Sequence, residues 1–329
     1  MKAPVFVLGC PRSGTTLLYH MLLSAGGFAV YRAETHVFDW ILPRFGSLGT
    51  LKQRHRLMDK WLLSRYFQRS GLGAADLREK VLFHCNGGGD FIRIVMEGIA
   101  KAQNVDRWAD CTPAHALHIP EIKRSLPDAL FIHMIRDGRD VALSLDKTGW
   151  ISPFPWSRKK SLAVAILYWQ WIVTKAREYG RAIAPDYIEV HFEDLVQNPH
   201  DTLARLSIFL DHDLDYDRIQ RVSIGSVRDP NTSFTDDPLT PGFDPVGRWR
   251  KKLSEEDIAA LEGLAGDRLA ELGYPLVTPN LQSSRNLKLE QMKLVYRTYS
   301  SAKQWLKMKT PLSRFLADID EHLQQNSGL

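Results

Sequence analysis

At 329 residues and 44% apolar, the chain has ample material for a buried core, and its length suits one α/β core with helical additions as well as two domains. Its three cysteines, Cys10, Cys85 and Cys111, include no CxxC pair, which argues against a disulfide framework or a zinc site and fits a reducing compartment. The net charge of +5 is unevenly placed: residues 285–314 hold eight Lys or Arg against one acid, Glu290, so that segment carries +7 and the remainder −2.

The apolar run at residues 5–8 is too short for the core of a signal peptide, and no stretch reaches the roughly 18 apolar residues of a membrane helix. Both point to a cytoplasmic protein. Residues 3–10 read as a buried strand that ends in a glycine-containing loop. Thr15–Ala25 reads as a helix, with Leu17, Leu18, Met21 and Leu22 along one side and Gly26-Gly27 as its stop. Residues 28–31 predict a second strand. Residues 51–104 read as mostly helical and polar, broken at Gly87-Gly88-Gly89. Leu130–Ile135 is another apolar strand, introduced by the turn signal Pro127-Asp128, and residues 139–147 follow as a helix. A longer helix is expected over 162–176 and a strand over 187–192. Ser254 with Asp257 resembles a helix cap, and Gly273 stands where that helix would end. Met292, Val295, Tyr299, Ala302 and Leu306 recur at steps of three and four, which predicts an amphipathic helix with a basic opposite face. Strands alternating with helices predict an α/β fold, a central mostly parallel sheet between layers of helices. The expected division is a core over 1–275 and a basic helical extension over 276–329.

The strongest local signal is Gly9-Cys10-Pro11-Arg12-Ser13-Gly14-Thr15-Thr16, set between a strand and a helix. Successive N–H groups and a helix N-terminus there make an anion site. A nucleotide triphosphatase loop reads GxxxxGK[ST], with Lys after the second Gly. Here that place is Thr15, and the cation has moved inside the loop as Arg12, whose planar fork grips two oxygens of one anion. A sulfuryl group carries less charge than a γ-phosphate, so fixed cations and amides suffice without magnesium.

Pro11-Arg12-Ser13-Gly14-Thr15-Thr16-Leu17 resembles the 5'-phosphosulfate loop of sulfotransferases that use 3'-phosphoadenosine-5'-phosphosulfate (PAPS). The Arg and paired Thr are similar to the tyrosylprotein sulfotransferase and bacterial branches. Residues 131–144, Phe-Ile-His-Met-Ile-Arg136-Asp137-Gly-Arg139-Asp140-Val-Ala-Leu-Ser144, resemble the family's 3'-phosphate segment: a strand, an Arg at its end, then a helix with a Ser eight residues on. Two shorter blocks agree: His191-Phe192-Glu193-Asp194-Leu195 resembles a Tyr-Glu-Asp-Leu strand end, and Gly247-Arg248-Trp249-Arg250 the late loop that closes over the nucleotide. The resemblance implies a P-loop-like three-layer fold. It also implies PAPS as co-substrate, 3'-phosphoadenosine-5'-phosphate as product, and no metal. Pro11, Arg12, Ser13, Gly14, Thr15, Thr16, Arg136, Ser144, Arg248, Trp249 and Arg250 would bind the nucleotide.

Transfer to a hydroxyl needs a group to take its proton. In the resembling branch this is a Glu in a Glu-Thr-Arg string, and Glu34-Thr35-His36 occupies that place. Glu34 is the first candidate base, His36 the rival, and Arg12 the electrostatic partner of the leaving group. One departure is Cys111 in Asp110-Cys111-Thr112-Pro113, where the family often carries Lys. Two other functions stay open. One is a small-molecule kinase, disfavoured by the missing Lys; the other is a silent nucleotide-binding protein, favoured by Cys111. The acceptor is open among small molecules, lipids and carbohydrates, with residues 37–105 and 149–161 and the aromatics Trp150, Phe154, Pro155 and Trp156 expected nearby. Residues 285–314 are expected to pack on the core or on a partner subunit, as in a homodimer, or to touch an anionic membrane. No nucleic-acid module is visible.

Overall fold

The computed structural model of the chain describes residues 1–148, 161–227, 245–278 and 287–310. Trp150, Phe154, Pro155 and Trp156, and both ends of the basic segment, Arg285 and Arg314, lie outside the described residues.

Four strands form one parallel sheet: β1 (Val5–Gly9), β2 (Ala109–Asp110), β3 (Leu130–Ile135) and β4 (Tyr187–His191), in the spatial order β2-β1-β3-β4. The central strands β1 and β3 are largely apolar on both sides, as a covered parallel sheet requires, while edge strand β4 carries Glu189 and His191. Phe6 and Leu8 of β1, with Phe131 and Ile135 of β3, enter one core. Val5, Val7, Ile132, Met134 and Val190 enter the other.

The helices divide between these faces. In chain order they are α1 (Thr15–Ala25), α2 (Leu51–Trp61), α3 (Ala74–His84), α4 (Gly88–Ala102), α5 (Gly138–Thr148), α6 (Leu162–Arg181), α7 (Pro199–Leu210), α8 (Tyr216–Val222), α9 (Glu255–Glu271) and α10 (Leu287–Lys309), with shorter turns between them. Helices α1, α7 and α8 cover the Val5–Val7 side, while α2 to α6, α9 and α10 share the larger core on the other. The result is the three-layer P-loop-like fold.

Four expectations need adjustment, the last of them in helix α10. Residues 28–31 do not form a strand: the described pairing is a single parallel bridge, Phe28 with Arg107. The reason is local. Val30 gives both its N–H (2.7 Å) and its C=O (3.0 Å) to the Gln103 side-chain amide, so a side chain takes the place of a neighbouring strand. The expected strand at 187–192 stops at His191, because Phe192 opens a short helix, Phe192–Gln197. Helix α6 runs five residues past the expected end, to Arg181. Helix α9 begins as its cap predicts, with Ser254 Oγ accepting the Asp257 N–H at 3.1 Å.

Helix α10 docks in a different phase from the predicted apolar stripe. Tyr296 and Ser300 are buried, and Leu289 and Met292 pack on the core. Val295 stays exposed. Polar contacts hold the same face: Trp171 Nε1 donates to Ser301 Oγ at 3.3 Å, and Gln304 meets His118 Nε2 at 3.2 Å.

Candidate active site

The sheet order changes direction at β1, whose carboxyl end lies beside that of β3. Ligands bind at such switch points. The loop after β1 and the segment after β3 therefore meet. Ser13 N–H turns back to Cys10 O (3.1 Å), and Arg12 and Gly14 both take positive φ, 75° and 89°. Gly14 is required twice over. Its φ is left-handed, and a Cβ there would stand 2.3 Å from the Phe192 ring. Phe192, at the Tyr position of the family string, forms a wall under the loop and carries the Arg136 guanidinium 4.2 Å from its ring centre.

Three residues singled out from sequence touch directly. Arg12 Nε donates to Ser144 Oγ at 3.0 Å, across 132 residues of chain. Arg136 Nη1 donates to the Arg12 carbonyl at 3.1 Å. Burial and then the neighbouring Arg136 hold Arg12 down to about 10, and burial holds Arg136 below the usual arginine range. Two desolvated guanidinium groups side by side favour an anion between them. Ser13 Oγ adds a fit of its own: it is fully buried with no hydrogen-bond partner among the described residues. A phosphate or sulfate oxygen would satisfy it. Pro11 and Thr16 are part-exposed along the same loop, and Thr15 is buried at the start of α1.

The late loop is clasped onto this cluster. Arg136 Nη2 donates to Pro245 O (2.5 Å), while Asp140 accepts from the Gly247 and Trp249 N–H groups at 2.8 and 2.9 Å. Arg248 lies near enough for its charge to oppose that of Arg136. Trp249 is 1% exposed, its indole donating to Asp137 (3.0 Å) between the guanidinium groups of Arg139 and Arg250. Trp249 and Arg250 thus anchor the loop, and Arg248 is the member whose charge faces Arg136. Asp137 is itself engaged by Arg139 at 2.7 Å, and Arg139 reaches Glu262 at 2.5 Å. Neither Asp137 nor Asp140 is spent on a simple pair with Arg136. Glu193 is also structural, accepting from Asp137 N–H and Tyr274 O–H.

Glu34 stands on the other side of the phosphate loop. It lines a shallow, open cleft with Thr16, Tyr19, His20, Arg32, Ala33 and Cys111. None of these comes from residues 37–105, whose helices chiefly build core. Glu34 pairs with His36 (2.9 Å) rather than with Arg32. After His36 the chain winds one π-helical turn, Val37–Ile41, which carries Asp39 back beneath the imidazole at 3.0 Å. Burial disfavours the charged imidazole, but Asp39 and Glu34 outweigh it and push His36 up to about 10. Cys111 is held well above the usual thiol range by burial, then by Glu34 and Asp110. It is a neutral thiol beside Thr15 and Thr16. His20, which sequence reasoning missed, accepts the Ser226 N–H at Nδ1 (2.9 Å), so its Nε2 carries the proton.

The chain as a whole is similar to known proteins. The chain is 28% identical over 209 residues to a Caenorhabditis briggsae protein named "putative protein-tyrosine sulfotransferase", covering 63% of this chain and 65% of that one. It is 30% identical over 186 residues to a Caenorhabditis elegans protein of the same name, covering 55% of this chain and 70% of that one. The chain thus spans about two thirds of the length of these relatives. The fold is similar to that of the sulfotransferase domain from the Synechococcus PCC 7002 olefin synthase, with a TM-score of 0.50, 20% identity, and 90% of this chain and 96% of that one covered. A family model described as the sulfotransferase family matches residues 4–216, from the first strand through the phosphate loop and the Arg136 segment to α8, and the chain belongs to that family.

Proposed function

We propose that the chain transfers a sulfuryl group from PAPS to a hydroxyl, or an amine, of an acceptor by direct in-line displacement. The observation that carries this is the meeting of Arg12, Arg136 and Ser144 at the loop, with Glu34 in a cleft shared with Thr16. Arg136, Arg248, Ser144 and the loop residues Pro11 to Thr16 hold the two phosphate ends of the nucleotide. The acceptor oxygen attacks sulfur and its proton passes to Glu34. The bond from sulfur to the bridging oxygen breaks, and Arg12 with the loop N–H groups balances the charge that grows on that oxygen. Those cations do the neutralising without a metal. His36, cationic at neutral pH, is unsuited to take the proton, which favours Glu34 as the base.

Two relatives carry a protein-tyrosine name, so a tyrosine-containing peptide is the first acceptor to try, ahead of lipids and carbohydrates. The test is incubation with sulfur-labelled PAPS and, in parallel, with ATP and magnesium. Labelled product from PAPS alone is expected. Product only from ATP would replace this reading by a kinase, and tight binding of 3'-phosphoadenosine-5'-phosphate with no product by a silent nucleotide-binding protein.

The division into a 1–275 core and a 276–329 extension, a cytoplasmic location and self-association as a homodimer belong to the same reading. Membrane contact draws on one observation: the outer side of α10 exposes Leu287, Leu294, Val295 and Trp305, with Lys288, Arg297 and Lys303 also exposed. Among the described residues no helix is long and apolar enough to cross a membrane.

A further inference from the structure

Behind Glu34 runs a buried line of alternating carboxylates and imidazoles that the transfer chemistry leaves unexplained. His36 places Nε2 2.9 Å from Glu34 Oε2 and Nδ1 3.0 Å from Asp39 Oδ2. The other oxygen of Asp39 lies 3.5 Å from His115 Nε2, and His115 Nδ1 meets Asp110 Oδ2 at 2.8 Å. Asp110 then returns to the start of the line. Its Oδ1 accepts from Thr35 N–H (3.3 Å) and from the Thr112 hydroxyl (3.0 Å), and Thr112 Oγ1 accepts from the Thr35 and His36 N–H groups. Trp40 stacks on His36, ring centres 3.4 Å apart and planes within 5°. His36 also holds a left-handed backbone, φ 48°, which persists in a non-glycine residue only when its surroundings impose it.

We infer that Asp39, backed by His115 and Asp110, is a positioning unit that keeps His36 as a doubly donating imidazolium against Glu34 and so aims the Glu34 carboxylate at the acceptor. An imidazole flanked by carboxylate oxygens on both nitrogens donates at both only as the cation. That cation occupies Oε2 of Glu34 and leaves Oε1 for the incoming hydroxyl. The arrangement is the orienting third group of a nucleophile–base pair, moved one step back. This rests on Glu34 as the proton acceptor.

The charges around His36 agree. Asp39 and Glu34 hold it up to about 10 against its burial, and Asp110 and Asp39 hold His115 up to about 9 in the same way. The Phe38 N–H donates toward His115 Nε2 at 3.4 Å, and Asp39 Oδ1, 3.5 Å from that nitrogen, makes no hydrogen bond among the described residues, so His115 backs Asp39 through nearby charge and not through a shared proton. The other groups facing the line are Tyr66, edge-on to His36; His118, held neutral by burial at about 3; Tyr168; and Lys307 of α10, lowered by burial. None of them supplies a third anion for His36 beside Asp39 and Glu34.

The test is Asp39→Asn, which keeps the shape and removes the charge. The expected result is a kcat lower by about 10- to 100-fold, the range found when an outer partner that orients a reacting group is lost. Binding of 3'-phosphoadenosine-5'-phosphate should be unchanged, and the alkaline limb of the pH profile should move from about 10 down toward the ordinary imidazole value of about 6.5. A pH profile superimposable on the parent's would overturn the inference. Imidazole NMR titration of His36 in the parent protein reads the same charge without activity, and a ring neutral by about pH 8 would overturn it too. Glu34→Gln separates the two ideas: full activity in that variant removes Glu34 as base while the His36 titration still reports on the positioning unit.

Discussion

Arg12 shows burial, charge and hydrogen bonding acting on one side chain: it is desolvated, like-charged with Arg136, and held by Ser144. Arg12→Ala should lower the transfer rate by about 10²- to 10³-fold, the cost of one preorganised donor at developing negative charge; a labelled-PAPS assay measures it. Cys111 behaves in the opposite way. Its thiol is buried and held protonated, and a neutral thiol is a poor nucleophile. Cys111→Ser should stay within about threefold of the parent rate, and the parent thiol should resist alkylation at about pH 8, followed by mass spectrometry. These residues were legible because each belongs to a strand–loop–helix string whose local geometry is set by its neighbours. Asp39 was not. It reads as an ordinary polar residue until the fold lays His115, some 76 positions later, against it.

Among the elements, the β1–α1 corner shows how tightly backbone and core are coupled. Gly14 must turn with φ 89° directly over Phe192, and Phe192 in turn carries Arg136. Gly14→Ala adds a Cβ into the ring and strains the turn, so stability should fall by about 1–3 kcal/mol in urea titration. The elements the pattern predicted well, β1, α1, β3 and α5, are those in which period, turn residues and burial agree. The segment at 28–31 failed that agreement. Its β-like composition met a side-chain amide instead of a partner strand, and only the position of Gln103 on the connection after α4 decides this. Helix α10 shows a related effect: several phases of its mixed surface are apolar enough to dock, and contacts with Trp171 and His118 choose one.

Across the whole molecule, buried histidines of two kinds set the pH range of the fold. His36 and His115 are raised to about 10 and 9, so the stability they add is full below the unfolded value of about 6.5 and is lost as pH rises toward 9–10. His20, His118 and His133 are lowered, chiefly by burial, to about 4, 3 and 3, so their contribution is present at neutral pH and is lost as pH falls below about 6.5, when the unfolded chain takes up protons they refuse. Asp39 and Asp110, both held below the usual carboxylate range, weaken the fold further at low pH. Thermal melting should therefore peak near about pH 6.5 and fall on both sides; a flat profile from pH 5 to 9 would contradict the buried pairs.

The family resemblance offered Glu34, with His36 as its rival, as the base; the sequence by itself determined the α/β class, the phosphate loop with its internal Arg12 and the Arg136–Ser144 spacing. These follow from residues close along the chain, where hydrogen-bond geometry and hydrophobic period act over a few positions. Only the tertiary structure decided which of them touch, that Trp249 anchors a loop while the charge of Arg248 faces Arg136, and that Glu34 is backed by His36, Asp39, His115 and Asp110. Such contacts join segments tens of residues apart, and their strength comes from burial, which no local pattern of residues encodes.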